Sequence, residues 1–574
     1  MINGLAGRTT KAIDNSNQRA VVIKNEIYTR EYLEQRKNEL KDIFNCVKSD
    51  LQELADYFCP NSVRFLVRNV NKPRVKSKKI LDSTPLIAVR NFSAGMMTGA
   101  TAPTRRWFKT SVLNKDIESN WAIKDWCEKQ AELTRRILYA SNFYQCLPEI
   151  YKQLAIFGFS CVGLQSDFDT VVNFKCLPIG SYFYSKNHRG IIDTVCRNYM
   201  ESARNIVKEF GEENCSDSVI EAAKKNPNNM FEIVHYVEPN QDFKKGSPIS
   251  TQKEFISIYY EAGSREDIKN GFLRKSGFDK FPYVVFEASC NGEDNYPTDS
   301  IGIQALPDNK QLMNMVKEYA KAVKKIVSPA YQGPASLKNK NLADTPSHFN
   351  ETDENGNGMT PIYQVPPRIL ELKEEINEIK ESIKSTFYND LFAMILETAE
   401  RQRTATEVNE LKEEKMVLLS PLLEQVHNAL RQIHDWIFHE EIRTGIIPEI
   451  PEELEGKEIE IEFVSTLAQA MKVQNISSME RFTTFVANMA QTIDPVLSKK
   501  INGEKMIDAY ADYANIEPSQ VTPSEEVSQI RAAMEQKQQE QEQMAALTQG
   551  SQLVKNMGGV DAFGADLAAR MGMG

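Results

Sequence analysis

Apolar residues recur every three or four positions through two long stretches between residues 370 and 437. The first carries Leu372, Ile376, Ile379, Ile383, Phe387, Leu391 and Met394 on one helical face. The second repeats the spacing from Val408 through Leu411, Leu418, Leu422, Val426, Leu430, Ile433 and Ile437. Between them the chain turns polar from Glu397 to Arg403, and Thr404 then precedes Glu407 at the spacing of a capping box. A second helix restarting at Thr404 is therefore expected, with residues 397–403 as a connector or a presented loop.

Upstream, Tyr28, Tyr32, Leu33, Leu40, Ile43, Phe44, Val47, Leu51 and Leu54 predict a helix over 25–58, stopped by Pro60. A basic loop, Asn61 to Lys79, follows. Another helix opens at Ile80–Thr84, carries small residues through Pro103 and closes on Thr104–Lys109. Its Gly95 and Gly99 form a G-x-x-x-G suited to close packing against another helix. Further helices are expected over Trp121–Tyr139 and Phe143–Phe157. From Ser160 to Cys290 short β-branched and aromatic runs take over, starting at Val171, Ile191, Phe231, Phe255 and Tyr283, with one helical insert from Ser202 to Phe210. That region reads as a mixed α+β body.

A third long helix is predicted over Asp308–Val327, with Leu312, Val316, Tyr319, Val323 and Ile326 as its apolar stripe. Lys310, Lys317, Lys321 and Lys324 line up on another face, and Ser328-Pro329 ends the helix. Residues 330–367, rich in Pro, Gly and Asn, are too long for a plain loop and read as a small subdomain between two helices leading out and back. Downstream, Glu458–Phe463 alternates as a strand should. Helical patterns resume over Leu467–Met489, Gly503–Tyr513 and 524–547, and the Gly/Ala/Met-rich end is expected to be mobile.

The 574 residues suffice for roughly three to five domains. A hydrophobic content of 41% and a charged content of 26% are ordinary for globular protein. The net charge of −10 opposes a nucleic-acid coat, although DNA passing without being held is compatible with it. No apolar run approaches the ~20 residues that span a bilayer, and residues 1–20 lack a signal-peptide core, so no membrane partner is expected. Nine cysteines, none in a C-x-x-C pair, suit buried reduced thiols in a cytoplasmic protein.

The chemistry of known sites is absent from the sequence. There is no G-x-x-x-x-G-K-[ST], no H-E-x-x-H and no zinc-spaced Cys/His cluster. His427, His434 and His439 do not share a helix face and are expected to be satisfied structural residues. Asp353-Glu-Asn355-Gly-Asn357-Gly358 begins like a calcium loop, but Gln364 replaces the bidentate Glu and Pro361 and Pro366 replace the exit helix. A flexible turn is the better reading. No cofactor, no metal and no enzymatic activity are expected.

Several segments in order resemble one family. They are Ala55-Asp-Tyr-Phe-Cys-Pro60, Ile80-Leu-Asp-Ser-Thr84, Phe92 to Gly99 through Pro103, Trp107-Phe108, and Phe143-Tyr to Gly158-Phe-Ser-Cys-Val-Gly163. Arg403-Thr-Ala-Thr-Glu-Val408 and Phe463 to Ala470 complete the set, which covers roughly residues 25 to 515. The chain resembles the portal proteins, or head-to-tail connectors, of short-tailed T7-like bacteriophages. The resemblance implies a predominantly helical α+β fold that assembles into a cyclic, dodecameric ring at one capsid vertex. It also implies a division into N-terminal helices and wing (1–305), first stem helix (306–329), clip (330–367) and second stem helix (368–396). A tunnel loop (397–403), long wing helix (404–445), wing strand with crown helices (446–515) and a C-terminal tail (516–574) would follow.

Function is implied in the same way. Double-stranded DNA would pass through the ring during packaging and ejection, driven by a motor whose large terminase subunit docks on the clip. A tail adaptor, the major capsid protein and scaffolding proteins would be the other partners, in the virion and, during assembly, in the host cytoplasm. Glu397, Glu400, Arg401, Gln402, Arg403 and Thr404 correspond to the tunnel loop, and Lys310, Lys317, Lys321 and Lys324 to the stem wall. Lys338, Lys340, Asp344, His348 and Asp353 fall in the clip and are expected to dock the motor. The residues fit such a role independently. From Glu371 to Glu400 there are eight acids and three lysines, whereas Asp308–Val327 holds five lysines and two acids. An acidic wall with sparse basic rings would let DNA slide. Two other classes stay open on the sequence: a helical cytoplasmic scaffold without a channel, and a nucleic-acid enzyme with an unrecognised site.

Overall fold

The computed structural model describes residues 27–60, 79–112, 121–263, 271–289, 294–328, 330–335, 368–396, 405–454, 459–465, 479–489, 527–534 and 536–539, with isolated positions at 63, at 65, within 352–361 and elsewhere between 467 and 544. The chain opens with helices α1 (Arg30–Phe58) and α2 (Thr84–Ala100), strand β1 (Phe108–Val112), and helices α3 (Trp121–Ala140) and α4 (Phe143–Phe157). Strands β2 (Phe159–Asp167), β3 (Val171–Leu177), β4 (Tyr182–Lys186) and β5 (Ile192–Ser202) follow, then helices α5 (Ala203–Phe210) and α6 (Asp217–Lys225). Next come β6 (Met230–Pro239), β7 (Phe255–Glu261), β8 (Arg274–Phe278) and β9 (Tyr283–Glu287). Helix α7 (Ile301–Val327), the two-residue strands β10 (Tyr331–Gln332) and β11 (Thr360–Pro361), and helices α8 (Ile369–Thr386), α9 (Asn389–Leu396) and α10 (Ala405–Thr444) lead to β12 (Ile459–Phe463).

Contacts divide the chain into two compact units, residues 1–49, 66–70 and 180–279, and residues 50–65, 71–179 and 280–574. In the first, β4-β5-β6-β7-β8 form an antiparallel meander. Side chains alternate between its faces, so two cores result. One face meets the first part of α1, where Phe44 packs 5.2 Å from Phe183 and the Arg30 guanidinium lies 4.0 Å over Tyr260. The other meets α5 and α6 through Ile206, Phe210, Val219, Ile233, Tyr259 and Leu273, all buried.

In the second unit, α4 lies on the antiparallel sheet β3-β2-β9 and buries Leu147, Ile150, Tyr151, Leu154 and Phe157. Ser93 of α2 donates to the Pro148 carbonyl at 2.6 Å, which fixes α2 across α4. β1 pairs with β12, setting Phe108 opposite Phe463. Trp107 stacks between Phe143 and Phe463, with ring centroids 6.4 and 6.3 Å away.

Several expectations are corrected. Residues 108–112 form a strand where the end of a helix was expected, because Phe108, Thr110 and Val112 are buried at a period of two. Strands β4 and β8 and helix α6 carried no recognised signal. Helix α7 starts at Ile301 and not Asp308, running through Pro307. The expected single helix over 370–395 is two, α8 and α9, broken at Tyr388, whose φ of 55° is left-handed. In α10, Leu418 is 63% exposed, and Leu419 and Leu423 take the buried positions. None of the eight described cysteines is in a disulfide, but Cys46 is exposed, contrary to the expectation of burial.

Candidate functional site

Helix α7 leaves the body at a junction built around Ser300. Its hydroxyl accepts from the Ile303 amide at 3.1 Å, capping α7, and donates to the Ile156 carbonyl at 2.9 Å. That carbonyl sits in the last turn of α4, where such groups lack intrahelical partners. Gly302 allows the two backbones to close, since a Cβ there would fall on the Ile156 carbonyl oxygen. Gly158, at φ 80°, ends α4 in the left-handed conformation that favours glycine.

Helix α8 returns along α7. The pairs Tyr331↔Pro361 and Gln332↔Thr360 close the base of the excursion between the helices. Ser382 of α8 donates to Asp308 of α7 at 2.8 Å, so Asp308 marks the side of α7 that faces α8. At ~100° per residue, Lys310, Lys317, Lys321 and Lys324 lie about 160–220° around the helix from Asp308. The lysine stripe thus points away from α8 and does not pair with Glu374, Glu378 or Glu381. Lys310 instead bonds Glu53 of α1 at 2.8 Å, and Lys321 bonds Glu318 of its own helix at 2.6 Å. Lys317 and Lys324 are exposed and have no ion-pair partner among the described residues.

The hairpin is locked to the body by residues that the sequence reading missed. Lys380 of α8 bonds Asp82 at 2.7 Å, while Asp82 also accepts from the Thr84 amide at 2.8 Å at the start of α2. Burial opposes the Asp82 charge, but Lys380 and Thr84 outweigh it and hold its carboxyl below the usual range. The signal was legible as Asp82-Ser-Thr84, an Asp whose side chain can accept from the amide two residues on, just before a helix. Asp82→Ala is expected to cost about 1–3 kcal/mol in urea unfolding, because it removes the acceptor of the Thr84 amide and leaves Lys380 unpaired.

Gly95 and Gly99 do mark close packing, as their spacing suggested. A Cβ at Gly95 would overlap the Phe392 ring of α9, and one at Gly99 would lie 2.8 Å from Leu467 Cγ. Phe387 is fully buried 5.7 Å from Phe58, which anchors the α8–α9 joint. Pro421 removes the amide that would serve the Val417 carbonyl. The Ser420 hydroxyl takes over at 2.9 Å, and the Tyr388 hydroxyl donates to the Leu418 carbonyl at 3.3 Å.

His427 and His434 are structural, but they are not satisfied, which corrects the expectation. His427 stacks 4.0 Å from Phe463, His434 lies edge-on to Phe108, and neither Nε2 has a hydrogen-bond partner. Burial pushes both imidazoles down to about 4, with Arg431 adding to the effect at His427. The tunnel-loop residues Glu397, Glu400, Arg401, Gln402, Arg403 and Thr404 lie outside the described residues. So do Lys338, Lys340, Asp344, His348 and Asp353, and with Asp353 most of the calcium-like sequence.

Residues 30–521 match the family described as bacteriophage head to tail connecting protein. A portal protein of Salmonella phage epsilon15 is 32% identical over 511 residues, covering 88% of this chain and 91% of the relative. A probable portal protein of Bordetella phage BPP-1 is 31% identical over 518 residues, covering 89% and 92%. Among solved structures, the neck of an empty gene-transfer-agent particle computed with C6 symmetry aligns with TM-score 0.34 at 11% identity, over 70% of this chain and 86% of that one. The virion of a native gene transfer agent aligns with TM-score 0.31 at 11% identity, over 69% and 94%. The chain belongs to the bacteriophage head-to-tail connecting protein family. As a head-to-tail connector it is a component of the virion, and no helix among the described residues is long and apolar enough to cross a membrane.

Proposed function

We propose that this chain forms a closed ring at one capsid vertex, through which double-stranded DNA is packaged and later ejected. Helices α7 and α8 are the stem, 330–367 the clip, 397–403 the tunnel loop, 404–445 the long wing helix and 446–515 the wing strand and crown. Residues 1–305 hold the wing, and 516–574 a C-terminal tail. The clip docks the large terminase subunit and then the tail adaptor, while outer surfaces meet capsid and scaffolding proteins in the host cytoplasm. The observation that carries this reading is the α7–α8 hairpin, whose lysine stripe faces away from its partner helix and leaves Lys317 and Lys324 outside any ion pair among the described residues. Both relatives bear the name portal protein.

Repeated around a ring, Lys317 and Lys324 become circles of mobile point charges suited to brief, exchangeable phosphate contacts. At ~0.15 M salt, where the Debye length is near 8 Å, they act only on DNA inside the lumen. Lys310 is already held by Glu53 and contributes little there. Negative-stain imaging should show closed rings, and a monomer at every concentration would defeat the proposal. Lys317→Gln with Lys324→Gln should leave ring melting unchanged yet weaken DNA retention in particles. Lys310→Gln should leave retention unchanged, at a stability cost of about 0.2–1 kcal/mol.

A further inference from the structure

In the second unit, β2 and β3 are joined by the turn Phe168-Asp169-Thr170, closed by the pair Asp167↔Val171. The turn is held in one shape. The Asp167 carboxylate accepts from the Thr170 amide at 3.0 Å and from the Thr170 hydroxyl at 2.8 Å. Val171 follows at φ 68°, in the left-handed region that a β-branched residue adopts only under strain. At the tip Phe168 is 109% exposed, so its ring rests on no described residue of its own chain. A large ring held wholly in water on a rigid, strained turn has the form of an interface anchor.

The same unit holds a cavity of matching size. It measures about 110 Å³, opens to solvent, and is lined by His434, Asp435, Phe438 and Ile459. An apolar cavity of roughly 150 Å³ takes a benzene ring, so one phenyl group entering from an open mouth suits this one. Arg431, His434, Asp435 and Phe438 share one face of α10, at spacings of three and four. His434 is only 6% exposed, yet its Nε2 has no hydrogen-bond partner among the described residues. Lys280 and Arg431 both act on the Asp435 carboxyl, so two cations stand at the mouth against one acid. The hairpin tip has the opposite balance, since Asp167 and Asp169 flank Phe168.

We propose that Phe168 of one copy of this chain seats in the cavity beside His434 and Phe438 of the next copy, with Asp169 reaching the cations at its mouth. The turn that carries the ring also brings carboxylate and carbonyl oxygens, which are acceptors for an Nε2–H of His434. A second copy is the occupant because projection and cavity, alike in size and opposite in charge, occur in one chain. A projection on one surface that fits a cavity on another makes a head-to-tail contact, which closes into a ring when its rotation allows. The inference rests on the ring reading above and adds a contact that neither stem nor clip supplies.

A photoreactive benzophenone side chain is placed at Phe168 in the full chain, which is then irradiated across a concentration series. Covalent multiples of the chain should form, and peptide mapping should join position 168 to residues 434–438 or to Ile459. By sedimentation, Phe168→Ser should raise the concentration for half-assembly about thirtyfold, the loss of one aromatic anchor. Its dilute protomer should melt as wild type does, because the exposed ring supports nothing in its own chain. A Phe168→Ser chain that assembles as readily as wild type, or a cross-link that maps elsewhere, overturns this inference alone. A cross-link from position 168 to residues 434–438 of the same chain, or a Phe168→Ser protomer that melts lower, would place the ring's partner inside the chain and also overturn it. A wild type that never assembles overturns the ring reading too.

Discussion

Gly302→Ala is expected to unseat α7 and lower the unfolding free energy by on the order of 3 kcal/mol. The added Cβ would fall on the Ile156 carbonyl oxygen, with the Ile156 Cα 2.8 Å away, and both are backbone atoms that no rotamer change can move. Helix α7 would have to shift outward, stretching the 2.9 Å bond from the Ser300 hydroxyl to that same carbonyl. Higher helix propensity returns at most about 1 kcal/mol, so the clash wins. Ser300→Ala alone should cost about 1–2 kcal/mol through the lost cap. The double variant should cost less than the sum, because both residues act on one carbonyl. Urea unfolding measures all three. A Gly302→Ala protein within about 0.5 kcal/mol of wild type would mean the helices do not approach as described.

This junction shows what sequence can and cannot disclose. Helix α4 was readable from end to end, because an apolar face at period 3.6 and Gly158 at its C-terminus are local signals. The start of α7 was not, because Pro307 reads as a boundary while the residues that begin the helix, Ser300 and Gly302, have their reason in α4, more than a hundred positions away. Likewise β1 is a strand because β12 lies beside it, and five residues following a helix give little local evidence of that. The Tyr388 break was hidden because the apolar spacing continues through it.

The lysine stripe was legible as a face, since spacings of seven, four and three hold under any packing. Its pairing was not, because the side of α7 that meets α8 is fixed by Asp308 and Ser382. The glycines illustrate the reverse case. The spacing of Gly95 and Gly99 announced a close approach, and only the fold could supply Phe392 and Leu467 as what approaches.

Acidification from pH 7 to pH 5 is expected to destabilise the second unit through His427 and His434. Both are buried, at 3% and 6% exposure, and held near a pKa of about 4, against 6.5 for an unburdened imidazole. Because the folded pKa lies below the unfolded one, the unfolded chain takes up protons first as pH falls. The stabilising contribution is therefore complete above pH 6.5 and is lost between 6.5 and about 4. At pH 5 the loss is roughly 2 kcal/mol for each histidine. Groups packed nearby act in both directions. Burial raises the carboxyls of Glu441 and Asp435, which therefore favour the fold as pH falls and offset part of the loss. Asp82, held below its ordinary range, adds to the loss at the acid end. Replacing His434 with Phe, which suits a site between Phe108 and Phe438, isolates one contribution. The gap in unfolding free energy between His434→Phe and wild type should shift in favour of the variant by about 2 kcal/mol between pH 7 and pH 5. Parallel pH curves for the two proteins would show that His434 is protonated or solvated in the folded state, and the argument for its burial as a neutral ring would fail.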